Sequence, residues 1–400
     1  MIHVCFGLYD KTGRYSKFTG TTMLSIFENT SSDVTVHILH DNTLTQDNRE
    51  KFIYLAGRYG QTVKFYNVEE LCPDKINEIL ELAPDIKNSR VSIGTFYCSL
   101  IPKLLPHDLD KAIYLDADLV VNLDIKELWQ IELGDKPLAA VPEILSYKTI
   151  NMMKYAFKLC KDGFVKPEDY FNAGVFLMNL NLLRGEENTI TEGLRFRSQN
   201  PLYQDYSDQN IWNYCFSAQA LKLPVKFNRF THFARLEKEP LGKKIYHYAG
   251  GNVGVGLDFD MNDPLNRLWM NYFTKSPWFD SSAIGRLYGR VRDESHKAMI
   301  NFSAAMSGKT RAFITVEENL ETLVKKFSVK AGEEIILVET GIHLQKIVDV
   351  INISRDKKFF FLMLPYFVFP FLDKAGLVEG KDFLDADNLW SNAYSFINKM

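Results

Sequence analysis

Segment 112–121, Ala-Ile-Tyr-Leu-Asp-Ala-Asp-Leu-Val-Val, constrains the fold of this chain more than any other. The run Ile113-Tyr114-Leu115 reads as a strand of a sheet buried on both faces. Its apolar character breaks at Asp116 and resumes only after Asp118. Residues two apart on a strand face the same side. If the strand ends at the break, both carboxylates open into one crevice at its carboxyl end, where open α/β sheets bind ligands. Two carboxylates side by side repel unless a cation lies between them. A hard divalent ion such as Mn²⁺ or Mg²⁺ suits the pair and often brings a phosphate with it. An acidic turn after a strand gives the same short pattern, so the pair alone does not make a site.

The surrounding pattern predicts an α/β protein. Residues 2–8 read as a first strand, ending in the polar turn from Tyr9 to Tyr15. Met23, Leu24, Ile26 and Phe27 form an apolar stripe that predicts a helix over 18–29. A strand over 34–39, an amphipathic helix over 47–59 and a strand over 63–68 follow. Such alternation argues for a parallel sheet with helices on both faces, here a nucleotide-binding half. A helix over 96–105 leads into the acidic strand. Farther on come a strand over 137–141, then Glu143, and a strand within 171–179 preceded by a polar turn. Ser207-Asp208-Gln209-Asn210 opens a helix, with Asp208 in its first turn. A short strand over 245–249 runs into the glycine-dense segment 250–256, which suits backbone approach to a ligand or a plain flexible loop.

The composition shifts near residue 270. Segment 269–280 is aromatic and proline-punctuated, and reads as the rim of a first domain. Segment 283–306 reads as a basic helical connector. From Arg311 strands and helices alternate again, with strands over 312–316, 335–338 and 358–364 and helices over 318–327 and 343–350. The expected division is 1–270, a connector over 271–309, and a smaller α/β unit over 310–400. Asp385 and Asp387 read as a solvated loop of that unit.

Bulk properties exclude several classes. Lys and Arg number 47 against 50 Asp and Glu, for a net charge of -3, so there is no electrostatic case for nucleic acid. Five scattered cysteines without a CxxC pair indicate neither a disulfide framework nor a zinc site, and a reducing cytoplasm is the expected home. The start lacks the pattern of a signal peptide, and the apolar stretch 359–372 is broken by Pro365 and Pro370. No transmembrane segment is therefore expected.

Five pieces occur in a telling order: Leu-Ile-Pro-Lys-Leu-Leu-Pro (100–106), Ala-Ile-Tyr-Leu-Asp-Ala-Asp (112–118), Tyr-Phe-Asn-Ala-Gly-Val-Phe-Leu-Met-Asn-Leu (170–180), Asp-Gln-Asn (208–210) and His-Tyr-Ala-Gly (247–250). Over about residues 1–265 the chain resembles the family 8 glycosyltransferases, retaining enzymes of the Rossmann-like GT-A fold that use UDP-sugars. It looks most like bacterial members that extend sugars on serine-rich adhesins or lipooligosaccharides. The resemblance implies Asp116, Asp118 and His247 as metal ligands, an assignment the chemistry of Mn²⁺ suits. It implies that Gly7, Leu8, Tyr9, Asp10 and Tyr15 hold uracil and ribose, and that Ala117 and Ala173 line the donor. Glu143, Asn172 and Asp208 would hold sugar hydroxyls, and Gln209 would lie beneath the anomeric carbon. Gly250, Gly251 and Asn252 would meet the diphosphate as an anion nest.

Three departures from the family pattern stand out. Tyr9-Asp10 replaces the usual Asp-Asp after the first strand, Cys98 stands where an arginine is expected, and Val253 stands where a diphosphate-binding lysine is expected. The activity implied is transfer of galactose or glucose from a UDP-hexose to a glycan or glycoprotein acceptor. A non-catalytic UDP-sugar or glycan-binding protein and a self-glucosylating primer are the rival readings.

Overall fold

The pattern of buried strands becomes one central sheet and two smaller ones. The computed structural model describes residues 1–88, 92–147, 150–204, 207–249, 262–282, 303–339, 344–365 and 368–386. The chain divides into two units, Met1–Phe279 and Asp280–Met400. The glycine-dense segment from Gly250, including Gly251, Asn252 and Val253, lies outside the described residues, as does most of the expected connector.

In the first unit the strands are β1 (Ile2–Leu8), β2 (Val34–His40), β3 (Thr62–Asn67), β4 (Lys111–Leu115), β5 (Leu119–Val121), β6 (Leu138–Ala140), β7 (Val175–Asn179), β8 (Leu221–Lys222), β9 (Arg229–Phe230) and β10 (Ile245–His247). The central sheet runs β3-β2-β1-β4-β7-β6-β8, and β5-β10-β9 form a second sheet. β3, β2, β1 and β4 are parallel, as the alternation predicted. β7 is the exception, pairing antiparallel to both β4 and β6. The turn before β7 enters the sheet at the carboxyl end of β4, so β7 runs back along it and leaves Asn172 beside the acidic break.

Helix α1 (Arg14–Asn29) begins four residues before the start predicted for it at Phe18. It carries small polar residues on the face toward the acidic turn. Thr22 Oγ1 lies 2.8 Å from Ala117 O and 2.7 Å from Leu119 O, Ser25 Oγ accepts from Val121 N at 2.9 Å, and Asn29 Nδ2 donates to Val121 O at 3.0 Å. These bonds satisfy backbone groups where the chain leaves β4 and crosses to β5. Helix α2 (Gln46–Arg58) is capped by Thr45 and packs Phe52 and Leu55 inward. The helix expected over 96–105 is a 3-10 segment, Ile93–Leu100, followed by one α turn, Ile101–Leu104. Pro102 explains the junction, because its missing N–H is harmless only in a first helical turn.

Trp269, Tyr272, Phe273 and Trp278 belong to the main hydrophobic core with β1, β2 and α1. Segment 269–280 lies where the first unit ends, at Phe279, and it adds aromatic residues to the core: the helix Pro264–Phe273 turns its aromatic stripe inward.

The second unit holds β11 (Thr310–Thr315), β12 (Glu334–Leu337), β13 (Lys358–Met363) and β14 (Phe383–Asp385), all parallel in the order β12-β11-β13-β14. Helices Leu320–Phe327, Leu344–Ser354 and Phe369–Lys374 accompany them. The apolar stretch that begins at Phe359 is a buried strand followed by a helix start. Asp385 corrects the expectation of a solvated loop: it is buried, ending β14 opposite Leu362. Asp387 lies outside the described residues. No helix among the described residues is long and apolar enough to cross a membrane.

Candidate active site

Strand pairing explains how three distant segments meet at the acidic turn. The β4–β7 ladder ends with Asp116 N donating to Gly174 O at 2.9 Å. Leu119 of β5 pairs directly with His247 of β10, and Tyr248 N donates to Asp118 O at 2.9 Å. Asp116 is thereby fixed against the Asn172–Gly174 turn, and Asp118 against His247. One ligating atom from each of Asp116, Asp118 and His247 lies within 4.8 Å of the others. His247 Nε2 is 3.3 Å from Asp118 Oδ1 and 3.8 Å from Asp116 Oδ2.

The electrostatics of this trio fit a cation. Burial and repulsion by Asp118 push the Asp116 pKa up to about 6. Burial also opposes ionisation of Asp118, but the His247 charge and hydrogen bond outweigh it and hold its pKa below the ordinary value. Burial works against charging His247, yet the Asp118 and Asp116 carboxylates raise its pKa. Tyr114 Oη donates to Asp116 Oδ1 at 2.8 Å and orients that carboxylate. Two carboxylates and one imidazole are the donor set of a hard-to-borderline divalent ion such as Mn²⁺. A cation there would replace the proton that His247 Nε2 otherwise presents to Asp118.

Behind the trio stands a wall of polar side chains. Asn172 Nδ2 donates to Gln209 Oε1 at 2.8 Å and to Glu143 Oε1 at 3.2 Å. Gln209 Oε1 also accepts from Ala173 N at 3.2 Å, and its Nε2 donates to Tyr170 Oη at 3.2 Å. Asn228 bridges this wall to His247, with Asn172 Oδ1 at 2.7 Å and His247 Nδ1 at 2.9 Å. Asp208 accepts from Thr95 Oγ1 at 3.2 Å. Burial and the Asp116 charge push the Asp208 pKa up to about 8. Glu143 is 3 % exposed, and its Oε2 has no hydrogen-bond partner among the described residues. Burial pushes its pKa up to about 7, against the Asn172 bond and the His247 charge.

Glu143 supplies a test with a defined sign. Its folded pKa lies above the value of an unfolded chain, so ionising it costs stability as pH rises between the two. Glu143→Gln keeps an acceptor for Asn172 and removes that cost. The melting temperature of metal-free Glu143→Gln relative to wild type is expected to climb from pH 5 to pH 8, checked by calorimetry. A difference that is flat with pH would refute the assignment.

The first turn departs from what the resemblance implied. The Asp10 carboxylate points inward, accepting from Tyr15 N at 2.9 Å, Ser16 N at 3.2 Å, Asn48 Nδ2 at 3.0 Å and the Ser16 hydroxyl. It caps the start of α1 and ties it to α2, which leaves it 2 % exposed. Gly7 lets the chain pack tightly here, since a Cβ on it would lie 2.7 Å from Gly94 O. Leu8 is buried and Tyr9 half-buried. Tyr15 is 44 % exposed, and burial with the Asp118 and Asp116 charges raises its phenol pKa.

Cys98 is core. Its Sγ donates to Thr95 O and accepts from Trp212 Nε1, each at 3.2 Å, and burial pushes its pKa well up. Among the described residues no lysine or arginine bonds to Asp116, Asp118, Glu143 or Asp208. The loss of the expected arginine is therefore a real feature of this pocket. Asn228 and Tyr114 were missed from the sequence. Asn228 had one signal, an amide set between Phe227 and Arg229-Phe230.

Comparisons with known proteins agree with this geometry. The glycosyl transferase family 8 profile matches residues 8–252, a span that contains Asp116, Asp118 and His247. A candidate glycosyltransferase of Haemophilus influenzae is 27% identical over 306 residues, 70% of this chain and 85% of that one. A lipopolysaccharide 1,2-glucosyltransferase of Escherichia coli is 30% identical over 218 residues, 54% of this chain and 59% of that one. The solved galactosyltransferase LgtC, in complex with donor and acceptor sugar analogues, is 20% identical with a TM-score of 0.55, over 71% of this chain and 99% of that one. That last likeness shows the GT-A fold. With the profile covering more than half of the chain, this protein belongs to glycosyl transferase family 8 and is a glycosyltransferase.

Proposed function

We propose that the chain is a metal-dependent, retaining hexosyltransferase. It moves galactose or glucose from a UDP-sugar to a hydroxyl of a glycan acceptor, such as one on a glycoprotein adhesin. The observation that carries this reading is the convergence of Asp116, Asp118 and His247 within 4.8 Å, beside the Glu143, Asn172, Asp208 and Gln209 wall. Asp116, Asp118 and His247 would hold Mn²⁺. When bound, the ion supplies Lewis-acid stabilisation of the departing diphosphate.

The side chains divide the remaining work. Glu143 Oε2, buried and without a partner among the described residues, is suited to accept from a sugar hydroxyl. Asn172 and Asp208 hold further hydroxyls. Gln209 is neutral, and its carbonyl oxygen already accepts from Asn172 and Ala173, so it is a poor nucleophile. This favours attack by the acceptor from the face that the diphosphate leaves, with the hydroxyl proton passing to a phosphate oxygen. Asp208 is the carboxylate to examine for a covalent intermediate. Tyr9 and Tyr15 border the nucleoside, and Asp10 acts on it only by shaping the loop.

Pure protein incubated with Mn²⁺ and each UDP-hexose in turn, with and without glycan acceptors, tests the proposal by release of UDP. Release from one donor that is abolished by EDTA supports it and names the sugar. Absence of release from every UDP-hexose, with UDP tightly bound, would overturn it. Gln209→Ala is expected to lower turnover on the order of 100-fold with UDP affinity nearly unchanged. A matching loss of UDP affinity in calorimetry would place Gln209 on the nucleotide instead.

A further inference from the structure

Two backbone amides fix the polarity of the whole network around the candidate metal ligands. An N–H can only donate. Gly174 N donates to Asn172 Oδ1 at 2.9 Å, so that atom is oxygen. The Asn228 atom facing it at 2.7 Å must then be the amide nitrogen. The other Asn228 atom is therefore the oxygen, an acceptor, and it lies 2.9 Å from His247 Nδ1. His247 must carry a proton on Nδ1, so Nε2 is the ring nitrogen that faces Asp116 and Asp118, and its lone pair becomes available to a cation once its own proton leaves. On the other side, Ala173 N fixes Gln209 Oε1 as oxygen, so Asn172 Nδ2 is the donor between them. One continuous chain thus runs from Gln209 and Glu143 through Asn172 and Asn228 to His247.

Asn228 is suited to hold this position rigidly. It is 2 % exposed and immediately precedes β9, whose Phe230 pairs with His247. The next residue, Arg229, is also buried and bridges Glu237 and Glu239. A buried, doubly bonded amide with fixed neighbours cannot turn over without breaking two hydrogen bonds.

We propose that Asn228 is a positioning residue: its oxygen sets the tautomer and direction of His247, and its nitrogen ties that ligand to the sugar-holding Asn172. The inference rests on the metal-dependent reading above. Its consequence is that cation binding and donor-sugar placement share one link, and that the two amide atoms of Asn228 carry separable tasks.

The experiment uses the full chain, stripped of metal, and titrates Mn²⁺ by calorimetry without nucleotide. Donor KM and kcat are measured alongside. Asn228→Ala removes both bonds and is expected to weaken Mn²⁺ binding about 10- to 100-fold. Asn228→Asp keeps an acceptor for His247 Nδ1–H but presents a second oxygen to Asn172 Oδ1. Asn172 must then turn its amide, losing Gly174 N and the bonds to Gln209 and Glu143. This variant is expected to bind Mn²⁺ at least as tightly as wild type while kcat/KM for the donor falls about tenfold or more. Folded Asn228→Ala with wild-type Mn²⁺ affinity overturns the proposal, as does Asn228→Asp with the weak affinity expected of the alanine variant. If the alanine variant fails to fold, the aspartate variant decides alone. Asp118→Asn serves as the reference. If wild type and Asp118→Asn both ignore Mn²⁺, the metal-dependent function itself fails. If Asp118→Asn loses Mn²⁺ and Asn228→Ala does not, only the role of Asn228 fails.

Discussion

Asp118→Asn is expected to lower turnover about 1,000-fold, a loss of roughly 4 kcal/mol in transition-state stabilisation. Asparagine matches aspartate in size, so the acidic turn keeps its shape and the backbone bond from Tyr248 N to Asp118 O. What disappears is the charge. Asp118 is the member of the trio whose pKa stays low, because His247 outweighs its burial, and so it remains ionised across the whole neutral range. Asp116, raised to about 6, is the weaker partner. With Asp118 neutral, one carboxylate and one imidazole are left to hold a divalent cation. Calorimetric titration with Mn²⁺ should show the affinity lost in parallel with turnover. Wild-type affinity in this variant would remove Asp118 from the ligand set.

Gly174→Ala is expected to be nearly as damaging, although it alters no charged group. An added Cβ would lie 2.5 Å from His247 Cε1, 2.8 Å from Asp116 Oδ2 and 3.0 Å from Asn172 Oδ1. Gly174 is not among the glycines with positive φ, so backbone strain is not the issue; space is. Contacts this short force something to move. His247 is held by Asn228, and Asp116 by Tyr114 Oη and by its own backbone bond to Gly174 O. The methyl therefore spreads two of the proposed ligands and the sugar-holding amide apart together. A displacement near 1 Å at a reacting site costs about 100-fold. Mn²⁺ affinity and kcat should both fall, while the melting temperature of the metal-free protein changes far less than that of a core variant. A variant with intact Mn²⁺ affinity would mean that the trio tolerates an outward shift and is not a tight coordination site.

Several parts of the site are legible one segment at a time. The break from Leu115 to Asp116 marks a strand end because a buried strand cannot carry unpaired carboxylates. Period-two and period-3.6 patterns gave β1 to β4 and the first two helices nearly in full. Asn172, Asp208 and His247 were singled out by the family resemblance, and each is a polar residue at the start or end of an apolar element. Other roles were not legible for a common reason. Asp10, Cys98 and Asp385 are polar or nucleophilic types in unremarkable local settings, and only their partners decide their roles. Asp10 is consumed by Ser16 and Asn48, Cys98 by Thr95 and Trp212, and Asp385 by the end of β14. The first unit ends at Phe279, and the helix that carries Trp269 buries its aromatic face in the core, which local composition did not reveal.

The sequence by itself marked β1 to β4, β6, β7 and β10 to β13, where β4 stops, and which side chains are chemically able to bind a cation or a sugar. These follow from local periodicity and from the cost of burying charge. The tertiary structure decided that β7 runs antiparallel to β4, which brings Gly174 O to Asp116 N and Asn172 beside the acidic turn. It also decided that Leu119 faces His247 across a second sheet, and that Asn228 comes to lie against the imidazole. Pairing between segments so far apart is set by sheet register and by the packing of whole elements. No window of local sequence carries that information, so a site built from three such pairings exists only once the sheets have closed.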